Sequence, residues 1–316
     1  MAMKIKMKNM WGALGARALV LGAGPAPAAE AFKAGLVEVF AQREGPWQQG
    51  FLEGPVFDAA GNLWVVEIYG GHISKITPDG QYQRFINLAG DDGGGANGMK
   101  MDRQGRLIIA HRTKGIVALD PKTKQMEVLV DNYKGTKLHG PNDLFFDSKG
   151  NLWFTDPGTS GVHSPTGAVY RLAPDGGLFQ VFNNLSYPNG IALSPDEQYL
   201  YVTQLGNNRL VKAYLREDRS VWFSFASTTF NGGWGPDGVA LDTEGNLYIA
   251  QFDGHRVNVV DPQGYVIGVI DTPANGTTNV AFGPDGHTLY VTEGWTNTVY
   301  RVKVNKTGAK LWHQTK

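Results

Sequence analysis

The chain has no cysteine, which excludes disulfides, thiol nucleophiles and cysteine-ligated zinc. It has no net charge either: 29 Lys and Arg stand against 29 Asp and Glu. Nothing in that balance calls for nucleic acid or an acidic membrane surface, so neither is expected as a partner. No stretch approaches the ~20 apolar residues of a membrane span, and no segment carries a helical period. Glycine is abundant (42 residues, with 16 prolines), and aromatics make up 11%. That combination suits an all-β fold of short strands and tight turns. At 316 residues the chain is long for one compact domain, yet repeat and all-β architectures reach this size as one unit.

The N-terminus stands apart. Lys4, Lys6 and Lys8 precede a mildly apolar run, Trp11–Gly22, which Arg17 interrupts, and then Gly24-Pro-Ala-Pro-Ala-Ala29. That is the outline of a secretory leader with a small-residue cleavage region. Residues 1–34 are therefore read as an export leader or a disordered tail, and 35–316 as one domain. A leader would make the protein periplasmic or secreted; a tail would leave it cytoplasmic. The missing cysteines fit both compartments.

The chain repeats itself. FDAAGNLWVVE (57–67), MDRQGRLIIAH (101–111), FDSKGNLWFTD (146–156), LSPDEQYLYVTQ (193–204), LDTEGNLYIAQ (241–251) and FGPDGHTLYVTE (282–293) share one pattern. Each has an apolar residue, an Asp-containing turn, then Leu and strand-forming residues. The leading residues Phe57, Met101, Phe146, Leu193, Leu241 and Phe282 lie 44, 45, 47, 48 and 41 apart. That period suits one four-stranded propeller blade. Further short alternating runs flank Pro78-Asp-Gly80, Pro174-Asp-Gly176 and Asp261-Pro-Gln-Gly264, where proline presets one φ and glycine permits the positive one. The expected fold is a six-bladed β-propeller of four-stranded blades around a central channel. Either Leu36–Gln42 or Ala309–Gln314 is expected to supply the outer strand that closes the last blade.

Aligning the hairpins exposes two polar columns. Four residues before each leading apolar residue stand Glu53, Asn97, Asn142, Asn189, Asp237 and Thr278; closing each hairpin stand Glu67, His111, Asp156, Gln204, Gln251 and Glu293. Antiparallel pairing puts both ends of each hairpin on one edge of its sheet, so both columns are expected around the channel mouth. Asn and Asp before strands often serve only as turn formers, but Glu does not. Carboxylate and amide oxygens without cysteine suit a hard cation such as calcium. One imidazole, His111, leaves no three-histidine zinc site in these columns.

Over residues 36–304 the chain resembles the senescence-marker-protein/gluconolactonase family of regucalcin-like six-bladed propellers. The resemblance rests on Leu52-Glu53-Gly54-Pro55, Gly140-Pro-Asn142-Asp143 with Phe154-Thr-Asp156-Pro157, Tyr187-Pro-Asn189-Gly190 and Gly235-Pro-Asp237-Gly238. It implies a catalytic divalent ion, usually calcium, held by Glu53, Asn142, Asn189 and Asp237; Zn2+, Mg2+ or Mn2+ are the alternatives. It further implies hydrolysis of a cyclic ester, a small-molecule substrate. On that premise Asp237 is the expected general base, and Asp143, beside Asn142, either orients the site or stabilises its turn. Animal members that prefer sugar lactones carry Arg two residues before the second of these ligands, where this chain has Gly140. Trp47, Phe51, Tyr187, Trp234, Phe252 and Trp295 suggest a more aromatic mouth. His111, His139, Tyr187, Trp234 and Trp295 are the candidate substrate-binding residues.

Other readings remain at this level. One is phosphotriester hydrolysis, as in diisopropylfluorophosphatase, on a similar fold and metal site. A second is a propeller lyase with His111 or His139 as base, and a third is a non-catalytic propeller that binds a ligand or protein partner.

Overall fold

A computed structural model describes residues 30–88 and 95–315. The expected leader falls on residues 1–34, almost all of which lie outside the described residues. From Phe32 onward the chain forms one compact unit of six four-stranded antiparallel sheets, the six expected blades. Their innermost strands are Leu52–Phe57, Ala96–Met101, Leu144–Phe146, Pro188–Leu193, Gly235–Leu241 and Thr277–Phe282. They follow one another around the channel in chain order.

Each blade is buried on both faces, which is why the second strands read as continuous apolar runs rather than alternating ones. In Leu63–Glu67, Leu63 and Val65 pack toward blade six, while Trp64 and Val66 pack toward blade two. The same division recurs at the other interfaces. Each fully buried Val or Leu contributes about 1.5–3 kcal/mol, so the ring is held by its contacts between blades.

The repeated aspartate belongs to the turn of each hairpin, at the end of the blade remote from the polar columns. Asp147 accepts N–H bonds from Lys149 and Asn151, the Asn151 amide and the Trp153 indole. Asp58 and Asp242 build the same cage, with Trp64 and Tyr248 in the tryptophan's place. These aspartates stabilise the turns.

Of the two candidates for closing the ring, the N-terminal one does so. Glu38–Gln42 pairs antiparallel with Thr298–Lys303, Glu38 opposite Arg301 and Gln42 opposite Thr298. The C-terminal segment instead crosses the channel's other end. Ala309 N–H bonds Leu241 O at 2.9 Å, Trp312 stacks on Phe146 at 4.7 Å, and His313 Nε2 lies 3.2 Å from Phe57 O. A cavity of about 640 Å³ lies between this strap and the strand ends. A hairpin the sequence reading missed, Asn132–Tyr133 with Thr136–Lys137, turns at Lys134 and Gly135, both at positive φ, the conformation of a tight two-residue turn.

Trp153, fully buried between blades three and four, tests this account. Trp153→Ala is expected to lower unfolding stability by about 3–5 kcal/mol in urea titrations. A loss below about 1 kcal/mol would contradict an interface of this density.

Candidate functional site

The first polar column sits at a shared irregularity of the innermost strands. Pairing with the second strand skips between Glu53 and Val56, Ala96 and Met99, Pro188 and Ile191, Pro236 and Val239, and Thr277 and Asn279. Such bulges re-aim side chains and end regular pairing. Two residues earlier the backbone turns through positive φ, at Phe51 (66°), Gly95 (151°), Gly140 (143°), Tyr187 (47°) and Gly235 (154°). At Gly140 the loop adopts a conformation that favours glycine. At Phe51 the strain is supported by an N–H bond of 2.7 Å to Asn297 Oδ1.

The residue after each column position meets the neighbouring strand. A Cβ on Gly54 would lie 2.6 Å from Asn97 O, on Gly98 2.6 Å from Asn142 O, and on Gly190 2.5 Å from Asp237 O. Only blades three and six carry side chains there, Asp143 and Asn279, and both reach the site. Asn279 Nδ2 donates to Glu53 Oε2 at 2.8 Å, and Gly54 N–H donates to the same oxygen at 2.7 Å. Val280 N–H to Asn279 Oδ1 at 2.8 Å sets the orientation of that amide.

Glu53, Asn97, Asn142, Asn189, Asp237 and Thr278 are all buried. Neighbouring blades hold their backbones: Thr155 Oγ1 donates to Asn189 O and Thr203 Oγ1 to Asp237 O, each at 2.7 Å. Gly98 N–H donates to Asn142 O at 2.6 Å. Thr278 spends its hydroxyl on Leu52 O at 2.7 Å. Asn97 Oδ1, Asn189 Oδ1 and Asp237 Oδ1 are buried with no hydrogen-bond donor in the protein. Leaving such acceptors unsatisfied is costly, and a hard cation is a partner that satisfies several at once. Among the described residues no three His, Cys, Asp or Glu side chains gather as ligands, so a cation here needs the amide oxygens as well.

The electrostatics agree with that donor set. Burial pushes the Glu53 carboxyl up to about 7, and the Asp143 charge adds to the rise. Asp237 is raised well above the usual carboxylate range by burial, then by the charges of Glu53 and Asp143. Three carboxylates therefore act on one another around the channel axis, one more than the column alone contains. Lys100 Nζ, 3.6 Å from Asp143 Oδ1, is their buried counter-charge. Asn279 and Lys100 went unnoticed in the sequence because neither falls in a polar column; Asn279 follows one position, and Lys100 stands at a column otherwise apolar.

The second polar column does something different from what was expected. Four of its six side chains turn back onto the chain entering the site. Asp156 accepts His139 N–H at 2.9 Å and Gly140 N–H at 2.6 Å. Gln204 accepts Ser186 N–H and Glu293 accepts Gly276 N–H, each at 2.8 Å. Gln251 donates to Gly232 O at 2.7 Å. Glu67 binds Arg84, which also donates to Gln49 O. His111 is 1% exposed, and its Nδ1 accepts Thr113 and Lys114 N–H at 3.3 Å. His111 is thus packed as a loop anchor, whereas the His139 side chain is exposed.

Aromatic side chains surround the loops that lead to Glu53 and Asp237. Phe51 contacts Trp295 at 5.0 Å, Tyr69 at 5.3 Å and Phe252 at 5.9 Å between ring centres. Trp47 meets Trp295 at 4.9 Å, and the largely exposed Trp234 meets Phe252 at 5.7 Å. The half-buried Tyr187 phenol is raised by burial and feels the charges of Arg112 and Asp237. Tyr69, which the sequence reading did not single out, belongs to the same group.

Residues 51–295 match the family described as SMP-30/gluconolactonase/LRE-like region. The chain is 34% identical to a gluconolactonase of Zymomonas mobilis over 285 residues, 81% of this chain and 79% of that one. It is 36% identical over 232 residues to lactonase drp35 of Staphylococcus haemolyticus, 70% of each chain. The solved structure of a gluconolactonase from Xanthomonas campestris superposes with a TM-score of 0.73 at 27% identity, over 85% of this chain and 89% of that one.

The raised Glu53 carboxyl has a measurable consequence. Metal-free protein keeps on Glu53 a proton that the unfolded chain releases near pH 4.5, so that stability is present below 4.5 and lost as the pH rises through about 7. The loss is on the order of 3 kcal/mol. Urea unfolding of chelator-treated protein at pH 5 and pH 8 is expected to show it, and Glu53→Gln to remove most of it. Equal pH slopes in both proteins would contradict the assignment.

Proposed function

The chain belongs to the SMP-30/gluconolactonase/LRE-like family, and on that premise we propose that it is a divalent-cation-dependent lactonase, with calcium the best-suited ion. Its gluconolactonase and lactonase relatives support hydrolysis of a lactone, hence a small-molecule substrate. The observation that carries the cation is the set of buried oxygens without protein donors, Asn189 Oδ1 and Asp237 Oδ1 foremost, beside a Glu53 carboxyl that burial holds up to about 7. Glu53, Asn142, Asn189 and Asp237 would hold the ion. Their mix of carboxylate and amide oxygens suits calcium better than zinc.

Such a cation supplies Lewis-acid polarisation of a carbonyl and acidification of a water. The residues of the chain do the rest. Asp237 takes the proton of the attacking water on its carboxylate. A bond forms between the water oxygen and the carbonyl carbon. When the ring carbon–oxygen bond breaks, the proton returns to the departing alkoxide and a hydroxy acid results. Glu53 has its Oε2 fixed by two donors, so its carboxylate is oriented in advance. The Thr155 and Thr203 hydroxyls hold the Asn189 and Asp237 backbones in register. The aromatic residues by the mouth offer apolar walls for the substrate ring. A lyase reading through His111 is disfavoured by its burial as a loop anchor.

Asp237→Asn and Glu53→Gln, assayed on a lactone panel, are each expected to lose at least about 100-fold in rate. Chelator should silence the parent enzyme, and added calcium should restore it. Full activity in both variants, indifferent to chelator, would sink the proposal.

A further inference from the structure

Lys100 is out of keeping with its surroundings. Three residues beyond each position of the first polar column stand Val56, Lys100, Phe145, Ala192, Ala240 and Ala281, all apolar except one. The Lys100 side chain is 10% exposed, and its ammonium lies 3.6 Å from Asp143 Oδ1. Asp143 is just as singular: its counterparts are Gly54, Gly98, Gly190, Gly238 and Asn279. A lone acid in one layer thus faces a lone base in the next, across the boundary of blades two and three. Burying both charges is expensive and seldom raises stability over an apolar pair, which points to a use other than holding blades together.

That use lies in the charge of the site. Glu53, Asp143 and Asp237 act on one another through their charges, and Lys100 acts on Glu53 with the opposite sign. With Glu53 and Asp237 ionised, as holding a cation requires, the formal sum is three negative charges and one positive, a net of two negative. We infer that Lys100 is the valence selector of the channel: its ammonium trims a triply acidic site to the charge that a divalent cation neutralises. This rests on the cation reading above and specifies what that reading leaves open. Without Lys100 the site carries three negative charges and favours a trivalent ion; without Asp143 it carries one.

Electrostatics make the effect readable. Removing one positive charge strengthens binding in proportion to the guest's charge, so a trivalent ion gains more than a divalent one. Packing damage instead weakens both. The test is equilibrium binding of Ca2+ and Tb3+ to the full chain, followed by terbium luminescence and competition. Lys100→Met is expected to raise the Tb3+ to Ca2+ affinity ratio by about tenfold or more, one unit charge acting across several ångströms at an effective dielectric constant of about 20. Asp143→Asn, which keeps the oxygen that accepts Leu144 N–H at 2.8 Å, should lower the ratio comparably. Joining both changes in one chain should return it to the parent value. Lys100→Arg should leave it unmoved.

If Lys100→Met does not fold, Asp143→Asn and the double variant still carry the comparison. Ratios that stay constant across the series overturn the inference while leaving the cation site intact. A parent protein that binds neither ion overturns both.

Discussion

The molecule depends on how closely six strands approach one axis. Where they bulge toward the channel, adjacent backbones come so near that a Cβ on Gly54, Gly98 or Gly190 would lie within about 2.6 Å of the next blade's main chain. Glycine is therefore required at these three positions; at Gly238 a Cβ would meet the Asn279 side chain instead, and each of the remaining two positions introduces a side chain into the site. Asp143 adds a third charge, and Asn279 holds the carboxylate of Glu53. Crowding that first looks like a packing problem thus decides which blades contribute chemistry beyond the aligned column.

The propeller can bear what this costs because each blade is supported from both sides. Buried carboxylates raised by desolvation and mutual repulsion oppose folding, as do acceptors without donors. The opposing term is distributed over six inter-blade clusters and over turns caged by Asp58, Asp147 and Asp242. Strain gathers at one end of the channel, and stabilisation lies mainly in the blade walls and at the other end. A rigid frame also lets residues from four blades hold fixed positions without a single continuous element joining them.

The second polar column shows how one sequence pattern serves two purposes. Asp156, Gln204 and Glu293 look like the residues of the first column when the hairpins are aligned, yet they bond the backbone two or three residues before Asn142, Asn189 and Thr278. They hold in place the loops whose next residues face the channel. His111 instead accepts from Thr113 and Lys114, in the turn after its own strand. At the rim, Phe51 and Tyr187 occupy left-handed backbone conformations two positions before Glu53 and Asn189, so the same turn carries both a wall and an oxygen donor.

The repeat period, the hairpin pattern and the turn residues made the six blades legible from the chain alone, because blade formation is governed by local alternation and turn chemistry that recur every 41 to 48 residues. The six oxygen-bearing positions Glu53, Asn97, Asn142, Asn189, Asp237 and Thr278 were legible for the same reason, as aligned places at the end of one strand. The roles of Asn279, Lys100 and the second column were not. Antiparallel pairing says which end of a sheet a residue occupies, but not whether its side chain turns to the axis or back to its own loop. That choice is made by bulges and by contacts between blades far apart in sequence, as is the closure of the ring by Glu38–Gln42 rather than by the C-terminal strap. Sequence determined the repeat and the oxygen-bearing positions; the close packing of six strands on one axis decided which charges meet there.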